Sequence, residues 1–272
     1  MTFDEIARRG LVMLGCGKMG QAMLEGWLAG GLPPGAVWVL DPHPSDWVRA
    51  QGLHVNEGLP EDPAVAIVAV KPQFMAEALP QLQPLGGGAT LIVSVAAGTP
   101  IAYFETVLGA GTRVIRAMPN TPAAVGKGIT AIIGNAASGP ADADMAEALL
   151  SAVGQVVRLT DEDQIDAVTG VSGSGPAYVF YMIDALAAAA RAEGLPEDMA
   201  MQLAKATVAG AGALAEAAAE SPEQLRVNVT SPNGTTQAGL EVLMAEDGLM
   251  PLMRATVGAA AGRSRELKGR GS

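Results

Sequence analysis

Three glycines spaced G-x-G-x-x-G, at Gly15, Gly17 and Gly20, follow the short apolar run Leu11-Val12-Met13-Leu14. A helical pattern then begins, with Met19, Ala22, Met23 and Trp27 on one face. In a dinucleotide site each glycine has a physical task. Gly15 allows the tight turn out of a strand, and Gly17, lacking Cβ, lets a pyrophosphate approach the backbone. Gly20 lets the helix pack closely on the strand, and the helix N-terminus offers N–H groups and positive dipole to the phosphates. The placement between strand and helix carries more weight than the glycines alone. Cys16 reads either as a small side chain filling the loop or as a thiol beside a helix N-terminus.

A carboxylate stands about twenty residues further on, where a ribose 2′-hydroxyl would be held. It is Asp41, at the end of the apolar run Val37-Trp38-Val39-Leu40 and before Pro42. Asp41 also fits the simpler role of opening the turn before Pro42. As a ribose ligand it would disfavour a 2′-phosphate and so favour NADH over NADPH. His43 reads as a turn residue or as a contact to phosphate or adenine. The apolar run 64–70 ends at Lys71-Pro72, and 89–95 ends at Ala96-Ala97-Gly98, where small residues leave room for a nicotinamide ring. Residues 112–118 end at Met118. Strand ends at Gly15, Asp41, Lys71, Ala96 and Met118 would converge on one rim of an open α/β sheet, the ligand-binding edge of such folds.

The elements that must position these groups alternate in type up to about residue 160. Strand patterns at 11–14, 37–40, 53–55, 64–70, 89–95, 112–118, 129–133 and 156–159 are separated by helical or turn segments, including a helix at 141–153. Continuous apolar runs suit strands buried on both faces of a mostly parallel, doubly wound sheet. After Thr160-Asp161-Glu162-Asp163 strand signals nearly vanish. Helical patterns follow at 176–192, 196–219, 222–227, 235–246 and 249–268. We therefore expect an α/β domain at 1–162 and an all-helical domain at 163–272, whose apolar helices call for a subunit interface. Arg263, Arg265, Lys268 and Arg270 read as the solvated end of the last helix, favourable to its dipole, with a phosphate contact as the alternative.

Two segments of the helical part combine hydroxyls, glycine and proline just before a helix: Val171-Ser172-Gly173-Ser174-Gly175-Pro176-Ala177-Tyr178 and Thr230-Ser231-Pro232-Asn233-Gly234-Thr235-Thr236. Plain N-capping accounts for either one. Two together, opposite a nicotinamide site, favour carboxylate binding at helix N-termini. The chain has 272 residues, 49% of them hydrophobic, with a net charge of −11. That charge argues against nucleic-acid or anionic-membrane partners, which need a basic footprint. One cysteine rules out an intramolecular disulfide and fits a reducing cytoplasm. The acidic start, Met1-Thr2-Phe3-Asp4-Glu5, does not resemble a signal peptide, and the alanine-rich run 185–190 is too short to span a bilayer. No metal site is expected.

These blocks, with Ala69-Val70-Lys71-Pro72, Val95-Ala96-Ala97-Gly98, Arg116-Ala117-Met118-Pro119-Asn120-Thr121-Pro122 and the stretch from Asp166 to Tyr178, resemble the pyrroline-5-carboxylate reductase family, in order, over about residues 11–267. The resemblance implies a Rossmann domain followed by a helical dimerisation domain, an intertwined dimer, and NAD(P)H-dependent reduction of 1-pyrroline-5-carboxylate to L-proline, the last step of proline biosynthesis. It implies cofactor contacts at Gly15, Cys16, Gly17, Lys18, Met19, Gly20, Asn56, Ala69, Val70, Lys71, Pro72, Ala96, Ala97 and Gly98, beside Asp41. It places the substrate carboxylate and ring nitrogen at Ser231, Gly234, Thr235 and Thr236, and an acidic residue, Glu220, in the site from the partner subunit. Three positions depart from the family pattern. The usual Pro-Gly-Gly turn is Pro232-Asn233-Gly234, which survives because Asn tolerates the left-handed region. Asp41 stands where a serine or threonine often helps bind the NADPH phosphate, so the choice between NADP(H) and NAD(H) stays open. Val227 replaces the usual acidic residue before Asn228.

A protonated cyclic imine accepts hydride readily, so positioning is the main requirement. Thr236 Oγ1 is the candidate group to hydrogen-bond the imine nitrogen. A β-hydroxyacid dehydrogenase would need a general base, commonly a lysine on the first helix after the sheet, and 165–192 contains no lysine. A non-catalytic nucleotide-binding regulator would have no use for the Ser231–Thr236 turn, and another imine reductase remains a neighbouring reading.

Overall fold

The computed structural model describes residues 2–268. Met1 and residues 269–272, Arg270 among them, lie outside the described residues. Helix α1 (Thr2–Arg9) precedes the first strand. The sequence reading did not anticipate it, because its polar composition hides its two anchors, the fully buried Ile6 and the partly buried Phe3, which packs against the same core. Strands β1 (Leu11–Leu14), β2 (Val37–Leu40), β3 (His54–Val55), β4 (Val65–Val68), β5 (Leu91–Ser94), β6 (Val114–Met118), β7 (Gly128–Gly134) and β8 (Gly154–Arg158) form one sheet in the order β3-β2-β1-β4-β5-β6-β7-β8. Helices α2 (Lys18–Ala29), α3 (Asp46–Ala50), α4 (Met75–Ala78), α5 (Ile101–Leu108) and α6 (Pro140–Leu150) lie between strands in sequence.

Every neighbouring pair is parallel except β6 and β7. The link from Met118 to Gly128 is shorter than the dozen or so residues that a parallel crossover needs, so the chain turns straight back. Burial on both faces produces the continuous apolar runs. In β1, Leu11 and Met13 join the core on one face, while Val12 and Leu14 join the core on the other. That is the period of two of a strand. Trp27 of α2 is fully buried, and its Nε1–H donates to the Leu149 carbonyl at 2.7 Å.

The rest of the described chain is helical: α7 (Gln164–Val168), a π-helical turn (Thr169–Gly173), α8 (Gly175–Ala192), α9 (Glu197–Ala217), α10 (Pro222–Asn228), α11 (Thr235–Leu243) and α12 (Leu249–Lys268). The open turn expected around Val171–Tyr178 is instead a helical bend. Thr169 Oγ1 and Ser172 Oγ donate to the carbonyls of Ile165 and Val168, at 2.8 and 3.1 Å. A Cβ on Gly173 would lie 2.7 Å from Met118 Cε, so glycine lets this bend press against the end of β6.

Two compact units emerge. One comprises the chain up to Gly173 together with the segment from Ala260 onward, and the other is Ser174–Ala259. Within the first, Ser264 Oγ donates to the buried Asp166 at 2.6 Å, and Lys268 Nζ donates to Asp163 at 2.8 Å, which lowers the Asp163 carboxyl pKa. Lys268 and Arg263, which pairs with Glu266, are thus engaged rather than merely solvated. In the second unit the fully buried apolar side chains among the described residues are alanines, Ala187, Ala200 and Ala204. Large residues face outward: Phe180 is 61% exposed, Tyr181 75% and Met250 71%. Apolar surface on this scale marks an interaction face.

The glycine turn after β1 offers a stability test. Gly15 has φ +80°, and a Cβ there would sit 2.7 Å from Val70 Cγ1. Gly15→Ala should lower unfolding free energy by about 2–4 kcal/mol in urea titration. Gly17→Ala, at a position with nothing within 4 Å of the added carbon, should change it by less than about 0.5 kcal/mol.

Candidate active site

Four adjacent strands end level with one another. In register, Leu14 pairs with Leu40 and with Val68, Val68 with Ser94, and Ser94 with Arg116. The ladder continues one residue past the strands: Gly15 N–H donates to Leu40 O, Ala69 N–H to Leu14 O and Val95 N–H to Val68 O, at 2.8, 2.8 and 3.0 Å. The glycine turn, Asp41, Ala69 and the Ala96 segment therefore share one carboxyl-end rim. The strand order reverses between β1 and β4, the crevice where open α/β sheets bind ligands.

A cavity of about 480 Å³ opens at that crevice. Gly15, Gly17, Asp41, Asn56, Ala69, Val70 and Lys71 line it, all of them site residues expected from the sequence. Cys16 and Gly20 are buried, while Lys18 and Met19 open α2 and Pro72 begins the turn after Lys71, all five outside the lining. Ala96, Ala97 and Gly98 stand at the next strand end, also outside the lining. His43, Phe74 and Glu77 border the cavity too. Phe74 and Glu77 were missed, because nothing in the turn after Pro72 marks which face it presents; the 53% exposure of a large aromatic is a feature of the fold alone.

The crevice suits a dinucleotide. A Cβ on Gly20 would meet the Gly15 carbonyl at 3.0 Å, so α2 packs tightly, whereas Gly17 faces open space. Helix α2 has no side-chain cap, leaving its first N–H groups for a phosphate. Asp41 serves two structures at once. Its Oδ1 accepts from His43 N–H at 2.7 Å, an Asx-turn bond, and its Oδ2 accepts from Cys16 N–H at 2.6 Å across the rim. A carboxylate has about four acceptor positions, so capacity remains for ribose hydroxyls. Asn56, with φ +57°, braces the same spot: its side chain donates to Asp41 O at 2.8 Å and accepts from Asp41 N–H at 3.0 Å. Asn56 thus positions Asp41 as well as lining the crevice.

In the helical unit, Ser231–Gly234 forms a turn closed by Gly234 N–H to Ser231 O at 3.0 Å. Pro232 occupies its second position and Asn233, with φ +59°, its third, the type II pattern. Gly234 then caps α11 without any side-chain bond. Thr235 and Thr236 open the helix with exposed side chains, and first-turn N–H groups have no intrahelical acceptor. Glu220 is exposed between α9 and α10. A cavity of about 540 Å³ lined by Arg226, Thr230, Gln237 and Met244 adjoins this turn, but none of the expected substrate residues lines it. Among the described residues no group of His, Cys, Asp and Glu is placed to hold a metal ion.

Burial, followed by the charges of Asp41 and Glu25, pushes the Cys16 thiol up to about 12. The filler reading of Cys16 therefore prevails over a reactive thiol. The shift is upward from 9.0, so its stabilising effect holds below that value and is lost as pH rises towards 12. At about pH 8 a thiolate-directed reagent should label the native chain about a thousandfold more slowly than the urea-unfolded chain.

Two families match the sequence. The one described as "Pyrroline-5-carboxylate reductase dimerisation" covers residues 162–267, and "NADP oxidoreductase coenzyme F420-dependent" covers 10–98. A Pseudomonas aeruginosa pyrroline-5-carboxylate reductase is 38% identical over 263 residues, spanning 94% of this chain and 96% of its own. The pyrroline-5-carboxylate reductase of Coxiella burnetii superposes with a TM-score of 0.89 at 32% identity, covering 95% of this chain and 98% of that one. The Plasmodium falciparum pyrroline carboxylate reductase with NADP bound gives 0.81 at 25% identity, with the same coverage. The chain belongs to the pyrroline-5-carboxylate reductase family.

Proposed function

We propose that this chain reduces the C=N bond of 1-pyrroline-5-carboxylate to give L-proline, using NAD(P)H. The observation that carries the reading is the pairing of a dinucleotide crevice on the sheet with an uncapped helix N-terminus at Thr235-Thr236, in a chain of this family. A dinucleotide held by Gly15, Gly17, Asp41 and Asn56 would supply the hydride that the imine carbon accepts. The remaining work falls to the protein. Ser231 and the first N–H groups of α11 take the substrate carboxylate, which suits the positive end of a helix dipole. Thr236 Oγ1 accepts the imine N–H and orients the ring, and the nitrogen carries a proton obtained from water. No strong general acid is required, because a protonated imine is already electrophilic and orientation supplies most of the acceleration.

The functional division of the chain falls at 162/163, and the helical part pairs two copies in an intertwined dimer. Its exposed apolar helices and the matched dimerisation family support this. Glu220 then lines the partner's site. No described helix is long and apolar enough to cross a membrane, and a reducing cytoplasm suits a chain with one cysteine.

The cofactor preference follows from Asp41. Its carboxylate is held in the crevice wall by the Cys16 and His43 amides, and Lys71 is the only lysine or arginine among the lining residues. A 2′-phosphate brought beside a fixed carboxylate is disfavoured, while 2′- and 3′-hydroxyls can donate to it. NADH is therefore the better substrate. In steady-state assays Asp41→Ser should shift the NADPH-to-NADH ratio of kcat/KM upward by about 10-fold or more. A native enzyme that favours NADPH, with a ratio unmoved by the substitution, would refute this role.

Thr236→Val keeps the shape of the side chain and removes its hydroxyl. With pyrroline-5-carboxylate as substrate, kcat/KM should fall by about 10²-fold or more. An unchanged value would remove Thr236 from the chemistry.

A further inference from the structure

The segment that leaves β5 is Val95-Ala96-Ala97-Gly98-Thr99-Pro100, and side chains hold it at both ends. At its start the fully buried Ser94 accepts at Oγ from Ala96 N–H, at 3.3 Å. At its far end α5 begins at Ile101. Pro100, its N-cap, has no side-chain oxygen to offer. The cap arrives instead from 61 residues away: Ile101 N–H donates to Glu162 Oε1 at 2.9 Å.

The same oxygen accepts from Arg116 Nη1 at 2.5 Å. Arg116 is 3% exposed and stands on β6 directly opposite Ser94 in the parallel register. A guanidinium so buried needs its carboxylate partner, and its planar fork tolerates little variation in placement. Glu162 in turn precedes a braced helix. Its neighbour Asp163 accepts from Lys268, and Asp166, 4% exposed, accepts from Ser264. Between the two anchors Ala96 and Thr99 are buried, and the middle of the segment is open. Ala97 is exposed, and Gly98 has φ +76° with nothing within 4 Å of an added Cβ.

We propose that the Arg116–Glu162 pair is the positioning device for the nicotinamide end of the site. Glu162 caps α5 and so fixes where Ala96-Ala97-Gly98 stands against the reacting ring. Arg116 fixes Glu162 from the strand next to β5, so the loop is referenced to the sheet rather than to itself. The proposal rests on the reading of this chain as a nicotinamide-dependent reductase. Hydride transfer is sensitive to displacement of the ring, and misplacement by about 1 Å can lower rates about 10²-fold.

The test uses Glu162→Gln, which keeps the size of the side chain, and the double variant Arg116→Met/Glu162→Leu, which removes both charges together and leaves no buried charge unpaired. The first readout needs no turnover. In amide hydrogen exchange of the free protein, the Ala96–Ile101 region should exchange about 10-fold faster or more in each variant, with β1 and β4 unchanged. The second is single-turnover hydride transfer with saturating NADH and pyrroline-5-carboxylate. The rate should fall about 10-fold or more while the NADH dissociation constant moves by less than about 3-fold. Native exchange and a native hydride rate in a folded variant would overturn the proposal. So would a rate loss that simply tracks the loss of folded protein in a urea titration. If the native enzyme itself fails to oxidise NADH or NADPH on adding pyrroline-5-carboxylate, the reductase reading fails. A native enzyme that turns over beside variants that match it sinks only the positioning role.

Discussion

Close backbone approach at the end of β1 is the constraint on which the rest depends. Gly15 takes a left-handed φ of +80°, and Gly20 brings α2 to within a Cβ's reach of the Gly15 carbonyl. A side chain at Gly20 would push helix from strand, and one at Gly15 would run into Val70 and the Ala69 backbone after β4. With both absent, α2 starts immediately after the rim, and its first-turn amides have no intrahelical acceptor. The same turn presents Cys16 N–H to Asp41 at 2.6 Å, which binds the end of β1 to the end of β2. The start of α2 and the carboxylate of Asp41 are thus set by one local geometry.

The two parts of the chain solve the problem of apolar surface in different ways. The sheet buries both faces within one chain, with separate cores above and below β1. The unit Ser174–Ala259 buries alanines and leaves Phe180, Tyr181 and Met250 outside. Small residues allow helices to approach closely, but little apolar area is removed from water in the process. A second copy covers such a surface in the family to which this chain belongs, as the matched dimerisation region implies.

Long-range side-chain links hold the loops that the strands merely begin. Glu162 reaches Ile101 and Arg116. The buried Asn120 donates to Ser172 O at 3.2 Å and accepts from Ile129 N–H at 2.9 Å, joining the end of β6 to the π-helical bend and to β7. Each link uses a charged or amide group capable of two bonds, which ties two elements with one side chain.

The sequence by itself determined the element types, the sheet class and the position of the glycine turn. Those follow from local properties: apolar runs that must be buried on both faces, glycines where a side chain cannot stand, and proline at helix starts such as Pro176 and Pro222. Strand ends also put Gly15, Asp41 and Lys71 on one crevice, because parallel strands of similar length must end together, whereas Ala96 and Met118 lie outside its lining and Asn56 was implied by the family resemblance alone. Tertiary structure alone decided the rest. Helix α1 is anchored by only two apolar residues, Phe3 and Ile6, too few for periodicity to reveal it. The expected turn at Val171–Tyr178 became a π-helical bend, because Gly173 fits against Met118 in space and not in sequence. Asp41 proved to be turn residue and rim acceptor together, and the partner that caps α5 lay 61 residues away. Such pairings depend on which strands are neighbours in the sheet, and a linear pattern does not encode neighbourhood.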